Sequence, residues 1–196
     1  MFRWIALGSV VGVMGISAFH RYRARQSGEV LKRRQEGPRM LLFRAIVALP
    51  LFASILTFLI EPRWMAWSAL DLPAWLRWIG AALGVLAVPA AWWVFSSLGR
   101  NVSETVLTKA DQVLVTTGPY RWIRHPLYTT AEMLLLGVGL MAANWFILLF
   151  VTLVVGLMWL VVVPLEEQAL VARFGEAYRD YMGRTGRLLP RRPPRH

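Results

Sequence analysis

Cysteine is absent from the 196 residues, which excludes disulfide frameworks, thiolate metal sites and cysteine nucleophiles. Histidine is scarce. His20, His125 and His196 are the three, and no two stand three to five residues apart as a helical zinc pair requires, so no metal is expected. Acids number 11 against 22 Lys and Arg, and charged residues make up only 17% of a chain that is 57% hydrophobic. That balance excludes an ordinary soluble domain. Phosphate-cradling glycine loops, the dinucleotide fingerprint and a serine or metal constellation are also missing. The formal charge of +11 is not a nucleic-acid signature, because the basic residues fall in segments between apolar runs and not on one soluble face. No nucleic-acid partner is expected.

What is present is long apolar sequence. About 20 apolar residues carry a helix across a hydrocarbon core roughly 30 Å thick. Five runs approach that length: Trp4 to Phe19, Leu41 to Ile60, Leu76 to Leu98, Tyr128 to Ala143, and Trp145 to Val163. The fourth is short and carries Glu132, and the turn between the last two is placed at Asn144. Ten Trp, several near run ends, fit an interfacial belt facing membrane lipids. Between the first two runs lie Arg21, Arg23, Arg25, Lys32, Arg33, Arg34 and Arg39 against Glu29 and Glu36. Residues 61–74 carry one Arg and two acids, 99–127 four Lys or Arg and two acids, and 164–196 seven Arg and four acids. An odd number of crossings puts the three basic segments on one side, as the positive-inside rule requires, with the N-terminus outside and the C-terminus in the cytoplasm. The expected fold is all-α, an integral membrane helical bundle of about five transmembrane helices with a short cytoplasmic C-terminal helical cap. It divides into N-terminal transmembrane helices (1–97) and a core (98–196) within one structural unit. The GxxxG pairs Gly8/Gly12 and Gly80/Gly84 are read as helix packing sites.

Two polar segments on the basic side adjoin apolar runs. In Gly118-Pro119-Tyr120-Arg121-Trp122-Ile123-Arg124-His125-Pro126-Leu127-Tyr128, Pro126 keeps His125 out of the α region and opens the fourth helix. The dipole of that helix start, with Arg121, Arg124 and His125, makes an anion site at the membrane surface; the bland alternative is an arginine anchor to lipid headgroups. In the second segment, Pro164 is expected to end or kink the fifth helix, so that Glu166 and Glu167 sit in the first turn of the next. Glu166, Leu170 and Arg173 then share one helical face, and Gly175 stops the helix. A plain surface ion pair is the competing account of Arg173.

The stretch GPYRWIRHPLY (Gly118 to Tyr128), followed by EEQAL (Glu166 to Leu170) and RFGEAYRDY (Arg173 to Tyr181), resembles the isoprenylcysteine carboxyl methyltransferase family and its relatives, the phospholipid methyltransferases. Leu98-Gly99-Arg100 and Leu114 to Gly118 look like that family's approach to the motif. The resemblance implies an S-adenosylmethionine-dependent methyltransferase in which Gly118, Tyr120, Arg124, His125, Pro126, Tyr128, Glu166, Glu167 and Leu170 hold the methyl donor. Arg124 and His125 at the start of the fourth helix suit its carboxylate, and Glu166 or Glu167 its ribose hydroxyls or ammonium. Arg173 is the expected acceptor-orienting residue. An acceptor carboxylate is already ionised and needs no base, whereas an amine would call on Glu167 or Tyr128. The implied acceptor is lipid-like or prenylated, most readily a carboxylate, with phospholipid or small-molecule N- or S-methylation as alternatives. A sterol-type membrane reductase and a non-enzymatic membrane interaction protein are the competing classes. The implied location is the cell inner membrane in a bacterium or the endoplasmic reticulum in a eukaryote, with the site facing the cytoplasm.

Overall fold

A computed structural model describes residues 1–26, 38–99 and 113–191; Lys32, Arg33, Arg34, Arg100 and His196 lie outside them. Those residues form α1 (Phe2–Gln26), α2 (Pro38–Ile60), a 3-10 turn (Pro62–Ser68), α3 (Ala74–Leu98), a second 3-10 turn (Gly118–Arg121), α4 (Pro126–Ala142), α5 (Trp145–Leu157), a π turn (Met158–Val162), α6 (Val163–Phe174) and α7 (Glu176–Arg184). Among the described residues there are no strands beyond two isolated bridges, Ala69 with Asn144 and Ile123 with Gly186. The chain is an all-helical, multi-pass membrane protein. Phe2–Gln26, Ala74–Leu98 and the continuous helix Trp145–Phe174 are long and apolar enough to cross a bilayer, and Ala45–Ile60 and Pro126–Ala142 are shorter apolar helices.

The short fourth helix nevertheless reaches the far end of the bundle. Ala143 takes a left-handed φ of 48°, and Asn144 caps α5 by accepting from the Ile147 amide at 3.1 Å. The Asn144 side-chain amide donates to the Met65 carbonyl (3.1 Å) and the Ser68 hydroxyl (2.8 Å), and the Leu70 amide donates to the Ala143 carbonyl at 2.7 Å. The hairpin tip is thereby stitched to the segment joining α2 and α3. Both turns mark one end of the molecule, and the polar motifs gather at the other.

The centre is held by close helix approach. A Cβ on Gly137 of α4 would meet the Gly80 carbonyl oxygen at 2.7 Å and the Gly84 nitrogen at 2.8 Å of α3. Small residues let these backbones touch, so the Gly80/Gly84 pair serves internal packing. Gly137→Ala is therefore expected to cost about 1–3 kcal/mol by forcing rigid backbones apart. Gly8→Ala, where nothing lies within 4 Å, should be within about 0.5 kcal/mol of wild type. Thermal midpoints in detergent test the contrast, and equal midpoints would refute it. Around this contact Leu51, Ile55, Phe58, Leu134, Val138, Met141, Ile147 and Val151 form the buried core.

One expectation is corrected. Pro164 does not end the fifth helix, which runs without interruption from Trp145 to Phe174. Proline lacks an amide hydrogen and its ring clashes with the carbonyl four residues back. The π turn at Met158–Val162 widens the helix just before it and absorbs both defects. Glu166 therefore stands in the first turn of α6, as expected, with Glu167 beside it, but α6 continues directly from the π turn and does not start afresh.

Candidate functional site

His125 precedes Pro126, the first residue of α4, and its φ of −122° and ψ of 55° lie outside the α region, which proline disfavours, but short of fully extended backbone. The segment leading to it is fastened to the C-terminal tail. The Arg124 amide donates to the Gly186 carbonyl (2.9 Å), the His125 amide to the Arg187 carbonyl (3.3 Å), and the Gly186 amide to the Trp122 carbonyl (3.1 Å). α7 is docked by tyrosines. Tyr181 donates to the Tyr120 carbonyl at 2.6 Å, and Thr185 to the Tyr181 carbonyl at 2.6 Å. Burial pushes the Tyr181 phenol up to about 12, against the opposing pull of Arg124, and raises Tyr120 and Tyr178 as well. All three phenols stay neutral near pH 7 and act as donors or packing groups.

Glu167 of α6 is the hub. Only 4% exposed, it accepts from Arg124 Nε at 2.9 Å, lies 3.2 Å from His125 Nε2, and accepts from Arg187 Nη2. A carboxylate shared with two guanidinium groups is ionised, so His125 donates from Nε2. Arg124 also donates from Nη1 to the Met182 and Thr185 carbonyls, at 3.2 and 2.5 Å. These carbonyls belong to the end of α7, where unpaired acceptors are expected. Glu166, one residue earlier, accepts from the Tyr128 hydroxyl at 2.8 Å and has Oε2 3.8 Å from His125 Nδ1. Two adjacent carboxylates therefore tie α4, α6 and the tail into one cluster.

A second tie lies deeper. Glu132, one turn beyond Tyr128 on α4, accepts from the Trp159 indole of the π turn, and the Trp159 ring meets that of His125 edge to face at 6.3 Å. A carboxyl inside an apolar helix requires such a partner. Hydrogen bonds of this kind within membranes are worth about 1 kcal/mol. Trp159→Phe and Glu132→Gln should therefore be non-additive by about that amount in a double-mutant thermal-denaturation cycle. Additive losses would show the bond contributes nothing.

Of the residues singled out in the sequence, Arg124, His125, Tyr128, Glu166 and Glu167 are joined by these bonds, and Pro126 is buried beneath them. Gly118 and Tyr120 lie on the 3-10 turn. Gly118, with φ 61°, presses on Ser97 and Trp93 of α3, where any Cβ would collide with the Ser97 hydroxyl. Leu170 is half-buried one turn along α6, and Arg173 is exposed in its last turn, before Gly175 ends the helix with φ 56°. Glu176, at the start of α7, pairs with Arg179. Sequence reading missed Arg187, Tyr181 and Thr185. Tyr181 closes the RFGEAYRDY motif without having been given a role, and Thr185 and Arg187 only follow it.

The family model for phospholipid methyltransferases matches residues 75–177, from α3 into α7. The nickel-cobalt-cadmium resistance protein NccN of Alcaligenes xylosoxydans xylosoxydans is 34% identical over 58% of this chain and 53% of its own length. The protein-S-isoprenylcysteine O-methyltransferase of Tribolium castaneum is 29% identical over 59% of this chain and 42% of its own. The chain thus spans about half the length of the curated relatives it matches. A solved structure of the eukaryotic intramembrane Ras methyltransferase ICMT (isoprenylcysteine carboxyl methyltransferase) without a monobody shares the fold, with a TM-score of 0.56 and 22% identity over 95% of this chain and 67% of that one.

Proposed function

This chain belongs to the phospholipid methyltransferase family, and from that premise we propose that it is a membrane methyltransferase using S-adenosylmethionine to methylate a lipid-like or lipidated acceptor, most readily an isoprenylcysteine-like carboxylate. The observation that carries the reading is the buried Glu167 hub. It joins GPYRWIRHPLY to EEQAL through Arg124 and His125, and both to the tail through Arg187. The side-chain chemistry there fits the donor, which offers a carboxylate, an ammonium and ribose hydroxyls. His125, the start of α4 and the part-exposed guanidinium of Arg187 suit the carboxylate, and Glu166 the hydroxyls or ammonium. S-adenosylmethionine supplies, when bound, an electrophilic methyl group on a sulfonium centre.

The chain's own residues bind, orient and exclude water. Glu167, with its oxygens engaged by three donors, acts as a positioning residue. An acceptor carboxylate is ionised at neutral pH, so no base is needed, and the gain comes from alignment and from stripping water off the nucleophile. Arg173 orients that carboxylate.

The test is transfer of a labelled methyl group by the purified protein in detergent, with a farnesylated cysteine analogue and extracted phospholipids offered in parallel. Labelling of the farnesylated compound is expected. Labelling of phospholipid alone would reassign the acceptor, and binding of a nicotinamide dinucleotide without S-adenosylmethionine would favour a sterol-type reductase. The distribution of basic segments supports a cytoplasmic cluster and C-terminus and an outward-facing N-terminus. Reporter fusions at both ends should report opposite sides; the same side for both would overturn the five-crossing topology.

A further inference from the structure

At the end of the bundle opposite the Glu167 cluster lies a cavity of about 350 Å³, lined by Arg3, Arg77, Asn144 and the apolar side chains of Phe2, Phe58 and Met65, among others. Both arginines are half-buried and already serve helix ends. Arg3 Nε donates to the Leu59 carbonyl at 2.7 Å, and Arg77 donates from Nε and Nη2 to the Met141 carbonyl at 3.2 and 2.8 Å. These bonds satisfy orphan carbonyls in the last turns of α2 and α4. They leave both Nη groups of Arg3 and Nη1 of Arg77 with no acceptor among the described residues, and no described carboxylate lines the cavity.

Arg77 lies over the Phe2 ring at 4.3 Å and Arg3 over the Trp4 ring at 5.0 Å, but ring faces supply no acceptor for the remaining Nη groups, and two half-buried guanidinium groups with no carboxylate between them favour an anion. Their position is also unusual. The positive-inside rule concentrates arginine at the other end, and the helix-end bonds use only part of the donor set of these two. Exposed Trp4, Trp64, Trp67, Trp75 and Trp145 ring the same end and mark the level of lipid headgroups. A planar guanidinium grips phosphate with two parallel bonds, and the lining sets Arg3, Arg77 and Asn144 beside Phe2, Phe58 and Met65, a mixed character that suits a headgroup joined to acyl chains. We propose that this cavity binds the phosphate of a phospholipid headgroup, in the leaflet opposite the methyl-transfer cluster.

The full chain, delipidated in detergent, is titrated with dioctanoyl phosphatidylglycerol, dioctanoylglycerol or inorganic phosphate, and bound ligand is counted by native mass spectrometry. Wild type should bind phosphatidylglycerol at least tenfold more tightly than either other probe. Arg3→Gln and Arg77→Gln, which keep an amide to reach the helix carbonyls, should each weaken it fivefold or more. Ala66→Phe puts a ring into the cavity while both arginines remain in the sequence and should do the same, so a misfolded arginine variant does not end the test. His125→Ala, at the other end, should retain binding. Equal binding of dioctanoylglycerol would overturn the phosphate assignment, and equal binding of inorganic phosphate the lipid assignment. Loss in His125→Ala with retention in Ala66→Phe would move the lipid to the other end.

Discussion

Glu167→Ala should unfold the polar end of the bundle and abolish measurable S-adenosylmethionine binding. The substitution removes the one acceptor shared by Arg124, His125 and Arg187. Arg124 and Glu167 are 9% and 6% exposed in their side chains, whereas Arg187 is 44% exposed and can turn to water. Most of the cost therefore falls on Arg124 and His125, and breaking a buried pair from one side costs about 3–5 kcal/mol. Glu167→Gln keeps the volume and one carbonyl acceptor and should lose less. Tryptophan-fluorescence melts and calorimetric titration of the three proteins make the comparison. A Glu167→Ala protein that melts with wild type would show the hub to be dispensable.

Arg173→Ala should behave in the opposite manner, leaving fold and donor affinity nearly unchanged while methyl transfer falls about 100-fold. The exposed Arg173 lies seven residues beyond Glu166 on α6, roughly 10 Å along the axis at 1.5 Å per residue. One small ligand group does not span that interval, so the two residues serve different parts of the site. Loss of an orienting contact accounts for a factor of that size. Arg173→Lys should recover part of the rate, since an ammonium keeps the charge but not the planar grip on a carboxylate. A loss below about fivefold would indicate a surface pair worth at most about 1 kcal/mol. Equal losses of donor affinity and turnover would place Arg173 in the donor pocket.

Local chemistry made several boundaries readable in advance. Pro126 opens α4, Asn144 turns the hairpin and Gly175 ends α6 because each acts on its own backbone and immediate neighbours. Apolar run length located the helices for the same reason. The continuity through Pro164 was not legible, since the compensating π turn depends on how the preceding residues pack and proline alone signals a break. Nor was the Glu167 hub complete. Arg124, His125 and the Glu pair were visible as motif residues, but their mutual bonding spans about 40 positions, and Arg187 was one arginine among seven in the tail. Glu132 was legible as an acid in an apolar run, one turn beyond Tyr128, but its partner was not, because Trp159 lies 27 residues away.

The uninterrupted helix from Trp145 to Phe174 has 30 residues, about 45 Å of rod against roughly 30 Å of hydrocarbon. Its first residue is moored, through Asn144, to the α2–α3 connection. The excess of about 15 Å must therefore emerge at the end that carries Glu166 and Glu167. Bilayer thickness then sets the height of the carboxylate pair above the lipid. A thicker membrane draws the pair down toward the headgroups and a thinner one lifts it into water, while tilt of the rod trades the two. The same sequence in bilayers of different chain length would therefore hold its polar cluster at different depths.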